Sequence, residues 1–209
     1  MVALDYSAEF IARARERTPG DAAIEFRVVD ATRTDALLSL GSHRFNKAVC
    51  TMAMMDMPEI HPLFAALSQL LAPGGAFVFS IAHPCFHSAS SGRFAEMSED
   101  GAGRHVTRSG VKVSSYLSPS ARKTEAIIGE PEPQWFFHRP LSVLLQAGFD
   151  AGFLVDGIEE PRLGEGDARK AGTRWHDMPD IPPVLVVRMK LGPSTWRDPY
   201  NPARASESR

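Results

Sequence analysis

Residues 45–82 read FNKAVCTMAMMDMPEIHPLFAALSQLLAPGGAFVFSIA, and this stretch predicts a strand, a helix and a second strand. The segments Ala48–Met52 and Ala76–Ala82 are nearly continuous apolar runs. Such runs are typical of strands buried on both faces, as in parallel sheets, whereas half-exposed hairpin strands alternate apolar and polar residues. A helix from about Glu59 is indicated by apolar positions at helical spacing: Leu63, Phe64, Leu67, Leu70 and Leu71. The stretch therefore predicts an α/β fold.

The flanking sequence extends the same alternation of strands and helices. A turn at Pro73–Gly75 leads into the second strand, and the pattern predicts a helix over 137–147 that ends at Gly148. The further predicted elements are a strand closing on Asp5, a helix over 8–17 capped by Ser7, a strand closing on Asp30, and an antiparallel strand pair over 152–158 and 184–191. This order predicts a three-layer Rossmann-like sheet, mostly parallel, with an antiparallel hairpin at one edge.

The length of 209 residues suits one domain, which we expect to span residues 1–191. Residues 88–134 are rich in Ser, Gly, Arg and Glu, and a tract of this length between core elements predicts an insertion or lid over the substrate side. Residues 192–209 are polar and contain proline, which predicts a disordered tail.

Composition and charge limit the classes of partner. The formal net charge of −2 gives no reason to expect nucleic acid or an anionic membrane as a partner. No apolar run is long enough to span a bilayer, and the first residues do not resemble a signal peptide. The only cysteines, Cys50 and Cys85, lie in apolar segments, as expected of free thiols in a reducing compartment. We therefore expect a cytoplasmic protein.

Ligands of open α/β sheets bind at the carboxyl ends of the strands. In this sequence those ends carry Asp5, Asp30, the segment 51–56 and the segment 83–86. Carboxylates at two successive strand ends favour a ligand with hydroxyl or amino donors, because charge-assisted hydrogen bonds are short and directional. Each aspartate taken alone has a second interpretation, as a helix cap or a solvated loop residue.

The order of these motifs resembles the class I S-adenosylmethionine-dependent methyltransferases. The resemblance rests on Leu4-Asp5, on Val29-Asp30-Ala31, on residues 45–58, and on the leucine-rich helix that leads into Pro73-Gly-Gly75 and the next strand. It covers about residues 2–87 well and residues 135–161 more loosely. It implies S-adenosyl-L-methionine as cofactor and a small molecule or peptide as methyl acceptor.

The resemblance also implies a role for each strand end. Asp5 would accept hydrogen bonds from the ribose hydroxyls, and Asp30 would bind the adenine amino group, with the Ala31 amide near an adenine ring nitrogen. The segment 51–54, with Thr51, Met52 and Met54 as the named candidates, would line the methionine portion and the methyl group. Methyl transfer requires alignment of the acceptor with an activated carbon and, for some acceptors, removal of a proton.

Two histidines are the candidate catalytic groups. His83 follows a strand end and is predicted to line the substrate pocket. His138 lies next to Arg139 before a helix. His138 and Arg139 can either approach the substrate or serve a structural role. A metal site at His83, Cys85 and His87 is disfavoured, because one extended segment rarely completes a tetrahedral site alone. We therefore predict no metal.

The glycine-rich loop of this family has no counterpart in this sequence, in which it would precede Asp5. We expect a longer version of the chain to carry that loop and one more βα unit upstream. Without the unit, the strands it would separate are expected to have open edges, which favours a homodimer. The alternative function is a non-catalytic methyltransferase-like remnant that acts as a binding or assembly module. A nicotinamide-dependent oxidoreductase is a third hypothesis, less favoured because Pro73–Gly75 and the Asp30-Ala31 pair match the methyltransferases.

Overall fold

The computed structural model describes residues 1–20, 23–88, 90–125, 132–163 and 173–193. In these ranges the helices are α1 (Ala8–Arg17), α2 (Thr34–Leu38), α3 (His61–Leu70) and α4 (Leu141–Asp150), with short 3₁₀ helices at Met54–Asp56 and Trp175–Asp177. The strands are β1 (Val2–Asp5), β2 (Glu25–Val28), β3 (Phe45–Thr51), β4 (Leu71–Ala82), β5 (Ser91–Glu99), β6 (His105–Val113), β7 (Ser120–Thr124), β8 (Gln134–His138), β9 (Phe153–Glu159) and β10 (Val184–Leu191). No described helix is long and apolar enough to cross a membrane.

The main sheet has the strand order β3-β4-β10-β9. Strand β10 is antiparallel to both β4 and β9, while β3 is parallel to β4, so three of the four strands run in one direction. Helices α3 and α4 cover one face, where the ring of Phe64 makes edge contacts with Phe77, Phe79 and Phe153. The predicted α/β fold with an antiparallel hairpin at the sheet edge is confirmed.

Strands β1 and β2 form a separate parallel pair under α1, whose Ile11 is buried outside the main core cluster. Within the described residues, β1 pairs only with β2 and β3 pairs only with β4, so no ladder joins the two sheets. The side chain of Val49, in the middle of β3, is 72% exposed on the face opposite α3 and α4. Among the described residues, strand β3 therefore has one unpaired edge and an uncovered apolar side chain.

The tract from 88 to 134 contains more regular structure than its composition indicates. Strands β5 and β6 form a nine-pair antiparallel ladder, and β7 pairs with β8, which begins at the last residue of the tract. The two hairpins follow β4 directly and return the chain to α4. The insertion is thus built from two hairpins, although its function as a lid is a prediction that the fold does not test.

Two predicted boundaries are wrong. The helix predicted over 137–147 begins only at Leu141, because Pro140 adopts an extended conformation (φ −62°, ψ 157°) and residues before a proline disfavour the helical region. The predicted end at Gly148 lies inside α4, where an added Cβ would lie 2.5 Å from Cε of Met189.

The Pro73–Gly75 turn is part of β4 rather than a separate connection. Leu71 already pairs with Phe45, and the ladder resumes at Ala76 after an irregularity. Gly75 is required there, because a Cβ would lie 2.8 Å from the Ala72 carbonyl oxygen. The predicted disordered tail falls on residues 192–209, of which 194–209 lie outside the described residues.

Candidate functional site

The carboxyl ends of β1 and β2 carry two aspartates with the same local geometry. Oδ1 of Asp5 accepts a hydrogen bond from the Ser7 amide at 2.7 Å. Oδ1 of Asp30 accepts bonds from the Thr32 amide at 2.9 Å and from the Thr32 hydroxyl at 2.7 Å. In each case the residue two positions ahead holds one oxygen, and Oδ2 has no hydrogen-bond partner among the described residues. Both carboxylates are therefore oriented by the backbone and keep one acceptor for a ligand.

Strands β1 and β2 place these aspartates at one edge, because they are parallel and Asp5 is in register with Val28, two residues before Asp30. The Val29 amide donates to the Asp5 carbonyl oxygen at 2.9 Å, which continues the ladder to the site. The Ala31 amide, directly after Asp30, has no acceptor among the described residues. Two acceptors and one donor thus lie together at this strand edge.

At the end of β3 the backbone turns sharply at Met52, which has φ +50°, in the left-handed region that a non-glycine residue rarely adopts. Its amide donates both to the Ser80 carbonyl oxygen at 3.0 Å and to the Ser80 hydroxyl at 3.2 Å. Thr51 and Met52 are exposed there, and Thr51 is in register with Ser80 of β4. Strained backbone that is held by specific hydrogen bonds is frequent at functional sites.

Met54, predicted to line the methyl group, has a fully buried side chain that belongs to the main core. Its carbonyl oxygen instead accepts a bond from Arg139 Nη1 at 3.4 Å. Nη2 of the same guanidinium donates to the carbonyl oxygens of Met57 at 2.5 Å and Pro58 at 2.7 Å. The contribution of Met54 is therefore through its backbone, and Arg139 fixes the segment that follows β3.

His83 lies at the end of β4 with only 2% of its surface exposed. Its Nδ1 accepts a bond from the Cys85 amide at 3.2 Å, so Nε2 carries the proton and donates it to Glu160 at 2.8 Å. Its own amide donates to the Pro183 carbonyl oxygen at 2.8 Å. These contacts leave neither ring nitrogen available to a substrate and connect β4 to the segments beside β9 and β10.

His138, at the end of β8, is 3% exposed. Its Nε2 lies 2.8 Å from the Tyr116 carbonyl oxygen, which only accepts, so Nε2 carries the proton and Nδ1 keeps a lone pair. The Tyr116 hydroxyl accepts bonds from the Leu141 amide at 2.9 Å and from Cys85 Sγ at 3.7 Å. Desolvation raises the pKa of Tyr116 above its ordinary value, so this hydroxyl stays protonated. The cluster joins the end of β4, the start of α4 and the second hairpin.

One carboxylate near β3 has an altered titration. Partial burial raises the pKa of Asp56, in the first 3₁₀ helix, to about 6.

Among the described residues no group of three His, Cys, Asp or Glu side chains is arranged to hold a metal ion. His83, Cys85 and His87 contact different partners, namely Glu160, Tyr116 and the ring of Phe136.

The structure shows contacts that the sequence did not indicate. The role of Arg139 as a donor to three carbonyl groups outside β8 depends on residues more than 80 positions away, and Tyr116 lies in a tract without a readable motif. The one signal for Arg139 was its position directly before a proline and an apolar helix, which indicates burial but not the partners.

Comparison with known proteins adds independent information. A sequence profile described as "Methyltransferase domain" matches residues 1–79, which include Asp5, Asp30 and all of β3. An S-adenosylmethionine-dependent methyltransferase from Mesorhizobium loti is similar at 27% identity, with a TM-score of 0.66 over 90% of this chain and 79% of that one. Residues 1–79 are therefore similar to the methyltransferase-domain family, and the chain shares its fold with S-adenosylmethionine-dependent methyltransferases. These findings support the predicted family resemblance.

Two further solved structures share the methyltransferase fold at lower identity. A putative S-adenosylmethionine-dependent methyltransferase from Listeria monocytogenes is 18% identical, with a TM-score of 0.67 over 92% of this chain and 79% of that one. The putative methyltransferase in complex with the Trm112 activator of Haloferax volcanii is 13% identical, with a TM-score of 0.57 over 92% and 72%. A search of the curated proteins found no match.

Proposed function

We propose that this protein transfers a methyl group from S-adenosyl-L-methionine to a small-molecule or peptide acceptor. The observation that carries the proposal is the repeated geometry of Asp5 and Asp30, each with one oxygen held by the backbone and the other without a described partner. A ribose diol and an adenine amino group are donors that suit two such acceptors. The family supports the cofactor, and solved structures of a glycopeptide N-methyltransferase with that cofactor and with its demethylated product share the fold.

The residues present fit the nucleoside half of this cofactor. Asp5 would hold the ribose hydroxyls, Asp30 the adenine amino group, and the Ala31 amide would donate to an adenine ring nitrogen. Thr51 and the backbone of Met52 would border the methionine portion. When bound, S-adenosylmethionine supplies a methyl group on a sulfonium centre, which needs no further activation. The task of this chain is then to align the acceptor and exclude water.

Some acceptors lose a proton during methylation, and of the two predicted catalytic histidines His138 is better suited to accept it. Its Nδ1 lone pair has no described donor, whereas both nitrogens of His83 are engaged. We assign His83 a positioning role at the end of β4. The variant His83→Leu is expected to lower the melting temperature, because it removes a buried imidazole that accepts from the Cys85 amide and donates to Glu160. An unchanged melting temperature would contradict this assignment.

The direct test is calorimetric titration of the protein with S-adenosylhomocysteine. In Asp5→Asn and Asp30→Asn the remaining carbonyl oxygen still accepts from the backbone, while the free acceptor becomes an NH₂ donor. Loss of a hydrogen bond to a charged group costs about 1.5–3 kcal/mol, so the Kd is expected to rise about 10-fold or more in each variant.

Asp35→Asn is the matched control for this titration. Its carboxylate is exposed on α2 and pairs with Arg33 at 2.8 Å, so the substitution is expected to leave the Kd unchanged. Equal affinities for Asp5→Asn, Asp30→Asn and wild-type protein would show that these carboxylates do not bind the nucleoside.

The second candidate function is the non-catalytic binding or assembly module. The open edge of β3 and the exposed Val49 favour it, because an unpaired strand is a template for another chain. A partner strand between β1 and β3 would complete the sheet, and a homodimer is one form of such an assembly. The same titration separates the two functions, since absence of heat with millimolar S-adenosylhomocysteine supports the module. Sedimentation equilibrium tests the homodimer.

A further inference from the structure

One carboxylate near the carboxyl end of β3 has no side-chain hydrogen bond or ion pair within the described residues. Asp56 ends the first 3₁₀ helix and is exposed to solvent, and no basic side chain of the described chain lies close enough to affect its carboxyl group. Other aspartates are paired, for example Asp35 with Arg33 and Asp156 with Arg188, each at 2.8 Å. Asp56 is therefore an accessible negative charge to which the described residues supply no counter-charge.

Asp56 lies beside the strand end that borders the proposed methyl site. Burial, with a contribution from the charge of Asp56, raises the pKa of the Cys50 thiol to about 11, so the carboxylate lies near the side chain that precedes Thr51. Thr51 and Met52 are exposed at the same strand end. The carboxylate thus shares a solvent-accessible edge with the two residues proposed to border the methionine portion of the cofactor.

The backbone on both sides of Asp56 is held by the buried Arg139. The guanidinium donates to the carbonyl oxygen of Met54 at 3.4 Å and to that of Met57 at 2.5 Å. The Asp56 amide donates to the Ala53 carbonyl oxygen at 3.0 Å. The carboxylate therefore lies on a fixed segment although its oxygens have no partner, and a fixed segment suits a binding group.

The surroundings of Asp56 oppose its negative charge. Desolvation raises the pKa of this carboxyl to about 6, and no nearby cation lowers it. The carboxylate is still the main form near pH 7, where its charge reduces the stability of the fold. A cation supplied by a ligand would offset this cost, and carboxyl groups with a raised pKa are frequent at functional sites.

We propose that the methyl acceptor is an amine and that the Asp56 carboxylate binds its ammonium form beside the carboxyl end of β3. A charge-assisted N–H···O bond holds the nitrogen in one position, which aligns it with the methyl group. The same charge disfavours acceptors that carry a carboxylate or a phosphate, because like charges repel. This inference rests on the proposed function for the identity of the ligand as acceptor, whereas the cation site itself does not.

The ammonium loses one proton before it reacts, and Nδ1 of His138 is the candidate group to accept that proton. The nitrogen lone pair then forms the new N–C bond, and the electron pair of the broken C–S bond stays on sulfur. Asp56 takes no part in these bond changes, so its task is to bind and orient the nitrogen.

The test is a ¹³C NMR titration of the Asp56 carboxyl group in the full-length protein, with the resonance assigned by Asp56→Asn. Benzylamine hydrochloride is the probe, benzyl alcohol is its neutral counterpart, and sodium chloride keeps the ionic strength equal. Bound benzylamine is expected to lower the pKa of Asp56 toward its ordinary value, because an adjacent cation favours the charged carboxylate. Benzyl alcohol is expected to bind at least about 10-fold more weakly, because it forms no charge-assisted bond.

Matched variants separate a specific contact from a general effect of charge, with binding followed by the amide resonances of residues 53–57. Asp56→Asn keeps the shape of the side chain but removes the charge, and it is expected to weaken benzylamine binding about 10-fold or more. Glu59→Gln is the control and is expected to leave binding unchanged, because Glu59 is exposed and lies 3.6 Å from His61. Asp56→Asn is expected to fold at least as well as the wild-type protein, because it removes a disfavoured charge, and circular dichroism checks this.

Three results would overturn the inference. These are equal effects of benzylamine and benzyl alcohol on the pKa of Asp56, benzylamine binding that is unchanged in Asp56→Asn, and an equal loss of binding in Asp56→Asn and Glu59→Gln. Benzylamine binding without S-adenosylhomocysteine binding would leave the cation site standing and refute the proposed transferase. S-adenosylhomocysteine binding without an effect of benzylamine on Asp56 would refute only the cation site.

Discussion

Replacement of Arg139 by methionine is expected to destabilise the fold and loosen the segment after β3. Methionine keeps an unbranched apolar stem but removes the guanidinium, whose Nη2 donates to Met57 and Pro58 at 2.5 and 2.7 Å. Hydrogen bonds from charged donors contribute about 1.5–3 kcal/mol each, so these two together give a loss of about 4 kcal/mol. The longer contacts to Met54 and Phe137, both at 3.4 Å, are not counted.

The assay is urea unfolding followed by circular dichroism, together with a thermal scan. A loss of about 4 kcal/mol corresponds to a melting temperature about 8–16 °C lower in a protein of this size. Arg139→Lys is expected to recover part of the loss, because lysine donates but lacks the planar fork. Arg33→Met removes an exposed pair and serves as the control, with an expected cost below about 1 kcal/mol. A loss of less than about 1 kcal/mol for Arg139→Met would refute the reasoning.

Three further perturbations test the fold. Gly75→Ala is expected to lower the free energy of unfolding by about 1–3 kcal/mol, because its Cβ would lie 2.8 Å from a backbone carbonyl oxygen. Gly92→Ala is the control, because a Cβ there meets open space. Equal urea midpoints for the two variants would contradict this expectation. Val49→Lys is expected to change the free energy of unfolding by less than about 0.5 kcal/mol, because Val49 lies on the uncovered face of β3. Val187→Lys, at a fully buried position, is expected to prevent folding. A large loss of stability in Val49→Lys would show that this face of β3 is covered. Because the pKa of His87 is lowered to about 4, stability is expected to fall by up to about 3 kcal/mol as the pH drops from about 6.5 to 4, and His87→Gln should flatten that part of the pH profile.

The positions of the candidate residues at strand ends followed from sequence patterns, because those patterns are local. An apolar run predicts both a strand and the place of its carboxyl end, and this pattern predicted the positions of Asp5, Asp30 and Thr51. The free oxygen of each aspartate also has a local cause, since the partner of the other oxygen lies two residues away. The boundary of α4 was missed, although the conformation of Pro140 that displaced it is local as well.

The contacts that relate His83, His138 and Arg139 to the site depended on residues distant in the chain. His83 bonds to a residue 77 positions away, and Arg139 to residues more than 80 away, so no sequence window contains both partners. The same holds for Arg93 and Arg122 of the predicted insertion, whose guanidinium groups lie over the rings of Trp175 and Phe136.

The sequence by itself determined the class of sheet, the family resemblance and the two aspartates, since hydrophobic periodicity and short turns act over a few residues. Only the tertiary structure decided that no ladder joins β1 to β3 among the described residues, that His83 is engaged on both nitrogens, and that Nε of Arg122 is buried without a hydrogen-bond partner. Strand order, burial and ion pairing are set by which distant segments pack together, and that free energy is a property of the whole fold.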